Sequence, residues 1–348
     1  MTYYERMKNI ELKSEPIILA IESSCDETAA AVLRGGRDIL SNVILSSASE
    51  QAKYGGVVPE IASRAHTEAV SDSVNGALRE AGITFKDIDA VAVTYGAGLL
   101  GALLVGVSYA KALAFSLDVP LIAVSHIRGH MAASYLADKD LKPPFIGLLA
   151  SGGHTAITVV EDYSSLRILG GTLDDAVGEA FDKVARVLGL PYPGGPNVER
   201  LARSGQKSVP MPKMLKNMGG YNFSYSGLKT AVINYVHNKE QKGEPVIKED
   251  VAASFQSAAL DILIDKAIEA AIENKIDCIA VGGGVAANGY LREEIVKKSA
   301  YKSIKVVLPP KILCTDNAAM IGAEAFIKYQ NRDFADLDLN AAAQVSLK

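Results

Sequence analysis

Two of the five histidines in this 348-residue chain, His126 and His130, stand four apart directly after the apolar run 120–124. On a helix that spacing puts both imidazoles on one face, with Cβ atoms about 5–6 Å apart, so two ring nitrogens can share a divalent ion. The alternative is a pair of polar helix positions, one of them a hydrogen-bonded core histidine. The zinc-peptidase pattern has the same spacing, but Ile127 stands where those enzymes carry the glutamate that activates water. Metal binding stays open; peptide hydrolysis lacks its base. Asp316, at the start of a late helical pattern, is the candidate third ligand, because two histidines and one carboxylate form a facial triad with open positions. Thr315 or Asp316 is also the expected cap of that helix.

Two small-residue turns offer a second kind of chemistry. Ser151 to Thr155 is rich in glycine, so a phosphate can approach the exposed backbone N–H groups. Glu22 to Thr28 is acidic and would repel phosphate; it makes sense if Glu22 or Asp26 faces a metal, a water or an amine. Each alone could be an ordinary hairpin turn. Gly282, Gly283 and Gly284 follow a buried strand and would let a flat or charged ligand lie against the backbone. Asn288 then either caps the next helix or bonds a nucleotide sugar or base. Pro191 to Pro196 reads as a rigid loop. Asp182 and Lys183 either reach a ligand or form a solvated helix face.

The elements that must carry these residues alternate between strand-like and helical patterns, which predicts an α/β protein. Apolar strand, hydroxyl-rich turn and second strand occur at 17–33 and again at 145–160, each followed by a further strand (39–45 and 166–169). An offset of roughly 130 residues suits a duplicated domain rather than a solenoid. Helices are expected at 70–81, 99–117, 175–188 and 318–329, and strands at 90–94 and 277–281. Residues 1–16 read as an N-terminal extension, 17–130 as a first lobe, 131–317 as a second. Residues 318–348 read as a helix returning to the first lobe, with a tail. The most linker-like stretch is 138–144.

Composition narrows the function classes. Net charge is −4, so no global field draws nucleic acid, and a local patch or a partner must supply positive surface. Three scattered cysteines without a C-x-x-C pair argue against a disulfide framework or zinc ribbon and fit a reducing cytoplasm. The uncharged stretch 90–110 is broken by Thr94, Tyr95, Ser108 and four glycines, and reads as strand, turn and buried helix rather than a membrane span.

In order along the chain, ten segments resemble one family, the bacterial-type tRNA adenosine threonylcarbamoyltransferases. They are 22–28, 55–64, 94–101, 126–130, 151–155, 178–183, 192–196, 223–230, 282–288 and 315–317. The resemblance implies a duplicated two-lobed fold of the actin, Hsp70 and sugar-kinase (ASKHA) type, with a nucleotide in the cleft. It implies that His126, His130 and Asp316 hold one Fe(II) or Zn(II). It implies that Leu149, Ala150, Ser151, Gly152, Gly153, Asp182, Gly195, Glu199 and Asn288 line an adenylate site. The donor would be threonylcarbamoyl-AMP. The acceptor would be the exocyclic amine of the adenosine 3′ of a tRNA anticodon. The implied protein partners are a paralogous ASKHA dimerisation subunit and a small P-loop ATPase, with no membrane. Leu149 stands where archaeal and eukaryotic relatives have a metal-binding tyrosine, which leaves one protein ligand fewer. Ala97 replaces a frequent proline, and Glu199 follows Pro196 in a manner closer to archaeal members.

Acyl transfer from a mixed anhydride with AMP as leaving group needs positioning and charge stabilisation more than covalent help. The adenine amine is a poor nucleophile, and Asp26 is the candidate group to remove its proton. A small-molecule kinase on the same fold would leave the histidine pair idle, and a metallopeptidase would leave the nucleotide motifs idle. A non-enzymatic scaffold is the third class weighed.

Overall fold

The computed structural model describes residues 2–212 and 220–345. The chain divides into two compact units, residues 1–141 with 315–347, and residues 142–314. The sequence reading put these boundaries at 130/131 and 317/318. The first falls later because the helix that carries both histidines runs unbroken to Ala137 and stays packed in its own unit.

The first unit is built on a five-stranded sheet. Strands β1 (Ile17–Glu22), β2 (Glu27–Arg34) and β3 (Asp38–Ser46) form an antiparallel meander. Strands β4 (Ala90–Gly96) and β5 (Leu121–Ser125) add parallel to β1, giving the order β3-β2-β1-β4-β5. Its helices are α1 (Tyr3–Lys8), α2 (Ala48–Gln51), α3 (Pro59–Ala81), α4 (Leu100–Leu117) and α5 (His126–Ala137). Helix α3 starts eleven residues before the expected Val70, because Pro59 in the first turn needs no hydrogen-bond partner and has a preset φ. Tyr3 and Met7 bury α1 against this unit, and the Tyr3 hydroxyl donates to the Val119 carbonyl at 2.6 Å, so residues 1–16 are a packed part of it.

The second unit repeats the scheme. Strands β6 (Phe145–Ala150), β7 (Thr155–Val160) and β8 (Leu166–Gly171) form the meander. After helices α6 (Val177–Val187), α7 (Gly194–Ala202), α8 (Ser226–Gln241) and α9 (Lys248–Glu273), strand β9 (Cys278–Gly282) pairs parallel with β6. Helix α10 (Gly289–Ala300) leads to β10 (Lys305–Val307), and the order is β10-β9-β6-β7-β8. The two sheets share strand order and direction, which is the physical content of the repeated pattern at 17–33 and 145–160. Helix α9 is the central helix of this unit, and its Phe255 meets Phe181 of α6 edge to face at 5.0 Å between ring centroids.

Helix α11 (Ala318–Gln330) returns the chain to the first unit and packs on α5, β1, β2 and β5. With α3 and α4 on the other side, β1 is covered on both faces, which is why Ile18 to Ile21 is a continuous apolar run without alternation. The tail beyond it, silent in sequence, is placed by backbone pairing: Ala335 donates to Leu121 and Ala342 to Tyr95. By length and composition α4 could cross a membrane. Ala102, Leu103, Gly106, Val107, Ala110 and Ala114 form its buried face, while Leu100, Leu104 and Phe115 are exposed, so it is less covered than the sequence suggested.

Candidate functional site

Strand β5 ends at Ser125 and α5 begins at once with His126, so the last strand of the sheet delivers the histidine pair. The rings of His126 and His130 stack along one helix face, edge to face, with centroids 4.5 Å apart. Asp316 comes from the segment just before α11. Its Oδ1 lies 3.5 Å from His126 Nε2 and 3.3 Å from His130 Nε2. One donor atom from each of the three lies within 4.8 Å of the others, so the residues nominated by spacing do converge. Two imidazoles and a carboxylate suit iron or zinc. The buried His130 Nδ1 has no hydrogen-bond partner, and its Nε2 faces the Asp316 carboxylate, as suits a ring whose nitrogen is open to a ligand.

What holds α5 against α11 is close packing beside the ligands. A Cβ on Gly129 would sit 2.6 Å from Ile321 Cδ1, and Arg128 donates to Glu324 at 2.5 Å. Helix α11 is capped by Asn317, whose side chain accepts from Met320 N at 3.0 Å. Neither Thr315 nor Asp316 takes that role: the cap sits one residue later, which leaves Asp316 to face the histidines.

Behind His126 stands Glu22, fully buried at the end of β1. Its Oε2 lies 3.2 Å from His126 Nδ1 and accepts from Thr94 Oγ1 at 2.5 Å; its Oε1 accepts from Ser24 N at 2.6 Å. A carboxylate behind a ligating imidazole fixes the ring and its tautomer, turning Nε2 toward Asp316. The sequence reading had Glu22 or Asp26 facing a metal, a water or an amine; Glu22 instead faces the His126 ring. Burial opposes charge on both partners, yet their attraction wins: the Asp316 and Glu22 carboxylates hold His126 up at about 9, and His126 holds Glu22 below the usual carboxylate range. Burial and the neighbouring His126 charge keep His130 low and neutral. A metal taken up at this cluster would therefore displace a proton from His126. Glu22→Gln puts an amide N–H against the donors Thr94, Ser24 N or His126, and is expected to cost about 10–100-fold in metal affinity. Competition titration against a chromogenic chelator measures it; unchanged affinity contradicts the role given to Glu22.

The β1–β2 turn carries Cys25, Asp26 and Glu27. Burial first, then Asp26 and Asp316, push the Cys25 thiol far up, so thiolate chemistry is disfavoured. The Glu27 carboxyl is pushed up to about 9 by burial, by the Asp316 and Asp26 charges and by a hydrogen bond with Asp26. Glu27 was missed in the sequence; the signal was its place beside Asp26 in an acidic turn.

The second unit gathers the other nominated residues. Leu149 and Ala150 end the buried strand β6. Ser151 closes the turn through its N–H to the His154 carbonyl (2.8 Å), while Gly152 and Gly153 are exposed with open space where a side chain would be. Gly178 N donates to Ser151 O, seating α6 on the turn. Asp182 Oδ1 accepts from Gly194 N at 2.7 Å and so starts α7; the expected loop 191–196 ends there because this carboxylate satisfies a helix N-terminal N–H. Gly195 is open, and Glu199 Oε1 accepts from Gly289 N at 3.2 Å. Asn288 caps α10 by accepting from Leu291 N and donates to Gln256 at 2.9 Å. Gly283, at φ +93°, lies against Ala150 O, where a Cβ would come to 2.4 Å. The contacts form a ring from the Ser151 turn through α6, α7 and α10 back to β6. Lys183 pairs with Asp175 (2.6 Å) and Glu179 (2.8 Å) on its own side of α6.

Gly178→Ala tests this ring. The new Cβ would lie 2.7 Å from Ser151 O and 2.8 Å from Gly152 Cα, both backbone. The expected loss is about 1–3 kcal/mol in stability with weaker adenylate binding, read by thermal unfolding and calorimetric titration with AMP. Binding as tight as in the unaltered protein contradicts a nucleotide role for this turn.

Comparison with known proteins fits this geometry. Residues 38–323 match the family model TsaD, described as tRNA N6-adenosine threonylcarbamoyltransferase. A protein of that name from Clostridium botulinum (strain Kyoto / Type A2) is 52% identical over 97% of this chain and 99% of its own length. One from Clostridium perfringens (strain 13 / Type A) is 53% identical over 95% and 98%. Among solved structures, full-length HypF in its phosphate- and nucleotide-bound form matches with a TM-score of 0.63 at 17% identity. That match covers 92% of this chain and 47% of HypF, about half its length, and speaks to fold alone. The fold is an α/β duplication in which both sheets repeat one strand order. The chain belongs to the tRNA N6-adenosine threonylcarbamoyltransferase family and is a transferase of tRNA modification.

Proposed function

We propose that this chain moves the threonylcarbamoyl group of threonylcarbamoyl-AMP onto the exocyclic amine of the adenosine 3′ of a tRNA anticodon, releasing AMP. The observation that carries the mechanism is the convergence of His126, His130 and Asp316 with Glu22 behind them. These residues would hold one Fe(II) or Zn(II), which when bound supplies Lewis-acid polarisation of a donor oxygen. The second unit holds the adenylate: Leu149 to Gly153 provide backbone for the phosphate, while Asp182, Gly195, Glu199 and Asn288 line the nucleoside. The acceptor nitrogen attacks the carbamoyl carbon, the carbon–oxygen bond to phosphate breaks, and AMP leaves with the electron pair. Asp26 takes the proton from the attacking amine. The neighbouring Glu27 carboxyl, pushed up to about 9 by burial and by the Asp316 and Asp26 charges, is the poorer candidate for that task. An anticodon-loop adenosine is already single-stranded and can be splayed into a pocket at little cost.

A net charge of −4 leaves phosphate neutralisation to partner proteins. The family resemblance implies a paralogous ASKHA subunit and a small P-loop ATPase as those partners, acting in the cytoplasm. The test incubates purified chain with tRNA and threonylcarbamoyl-AMP, adding metal and partners in turn. The expected result is AMP release and threonylcarbamoyladenosine in the digested tRNA, lost on chelation and restored by metal. Full turnover after metal is stripped overturns the metal role. Alone, the chain is expected to bind tRNA weakly; nanomolar affinity at physiological salt contradicts the need for partners.

A further inference from the structure

His66 lies on α3, buried at 1% exposure, outside the groups used so far. Its Nε2 is 2.9 Å from the Cys25 carbonyl and its Nδ1 is 2.7 Å from Thr28 Oγ1. A carbonyl can only accept, so Nε2 carries the proton, and the bare Nδ1 accepts from the Thr28 hydroxyl. The imidazole therefore bridges the two sides of the turn that presents Asp26 and Glu27.

That turn is pinned at three successive carbonyls by three different segments. Ser24 O accepts from Leu99 N at 2.8 Å, Cys25 O from His66, and Asp26 O from both Ser47 N and Ser47 Oγ at 2.9 Å. Of these anchors only His66 also reaches β2, through Thr28. It is also the one suited to an acidic turn. Burial outweighs the pull of the Glu22 and Asp26 charges and keeps the ring neutral, so it donates without adding a cation. A lysine or arginine there would pair with Asp26 and blunt it as a base.

We propose that His66 is a positioning residue of the transfer reaction: by clamping Cys25 and Thr28 it aims the Asp26 carboxylate at the acceptor amine. This rests on the reading of Asp26 as the base. A misplacement of about 1 Å at a reacting group can cost on the order of 100-fold, which sets the scale.

The experiment compares His66→Phe, which keeps ring volume without polar atoms, with His66→Gln, whose amide can still reach the Cys25 carbonyl. In the partner-complete assay His66→Phe is expected to lower kcat about 10–100-fold, with KM for both substrates and bound metal within about two-fold. His66→Gln is expected to restore most of the loss. Combined with Asp26→Asn, His66→Phe adds no further loss, because both act through one carboxylate. Normal kcat in a folded His66→Phe, beside a slow Asp26→Asn, overturns this proposal alone. So do losses that multiply in the double variant. An Asp26→Asn enzyme of normal kcat overturns the reading of the base and this proposal with it. Should His66→Phe fail to fold, Thr28→Val replaces it: lower kcat at unchanged metal content supports the clamp, and unchanged kcat overturns it.

Discussion

His130→Ala is expected to strip the protein of its metal and lower turnover by on the order of 1,000-fold, the rate equivalent of the several kcal/mol that Lewis-acid assistance supplies. The argument begins with what His130 does without an ion. Burial keeps it neutral, and the Asp316 oxygen stands 3.3 Å from its Nε2, so removing it disturbs little besides that contact. The stability of the metal-free protein should change only by the small cavity left behind. The stability of the loaded protein should change more, since an ion that binds only the folded state stabilises it by mass action. The decisive readout is therefore metal content by mass spectrometry after gel filtration, with the metal-dependent shift in melting temperature. Asp316→Ala should lose the metal too, and in the metal-free protein it also removes a carboxylate that helps hold His126 protonated. His126→Ala should cost more in the metal-free protein, because it also leaves the buried Glu22 carboxylate without its partner. A His130→Ala protein that keeps stoichiometric metal and turnover sinks the triad.

The second large effect is expected for Asp26→Asn. Asparagine has nearly the same shape, and three carbonyls of the turn are anchored by Ser47, His66 and Leu99. The fold should survive while the proton acceptor is lost. General-base removal typically costs about 100–10,000-fold, and the loss should fall on kcat with little change in KM for the donor. Single-turnover measurement with preformed threonylcarbamoyl-AMP separates this from product release. Wild-type turnover rejects Asp26 as the base.

Much of this site was readable in advance because its signals are local. An i, i+4 histidine pair is a helix-face statement, and Gly152 with Gly153 is a statement about backbone access. Both survive folding, since neither depends on what lies across the unit. The less legible parts depend on register. Strands β1 and β4 run parallel with Ile21 beside Val93, and that pairing brings Glu22 next to Thr94 and His126. No spacing rule separates Glu22 from Asp26 for that task. Likewise, His66 looks like one more polar residue of a long helix until the packing of α3 on β2 sets it under the turn.

The amino-acid order alone determined the alternation of strands and helices, the duplication and the turns, and nominated the three residues that converge, because hydrophobic period and small-residue runs are written residue by residue. The tertiary structure decided which acid backs which histidine and that Asn317 rather than its neighbour caps α11. It also decided that the first unit ends at 141 and that the tail follows the sheet. Those outcomes are fixed by strand pairing and helix close approach, as at Gly129 against Ile321, where distances of a few tenths of an ångström choose between neighbours that sequence treats alike.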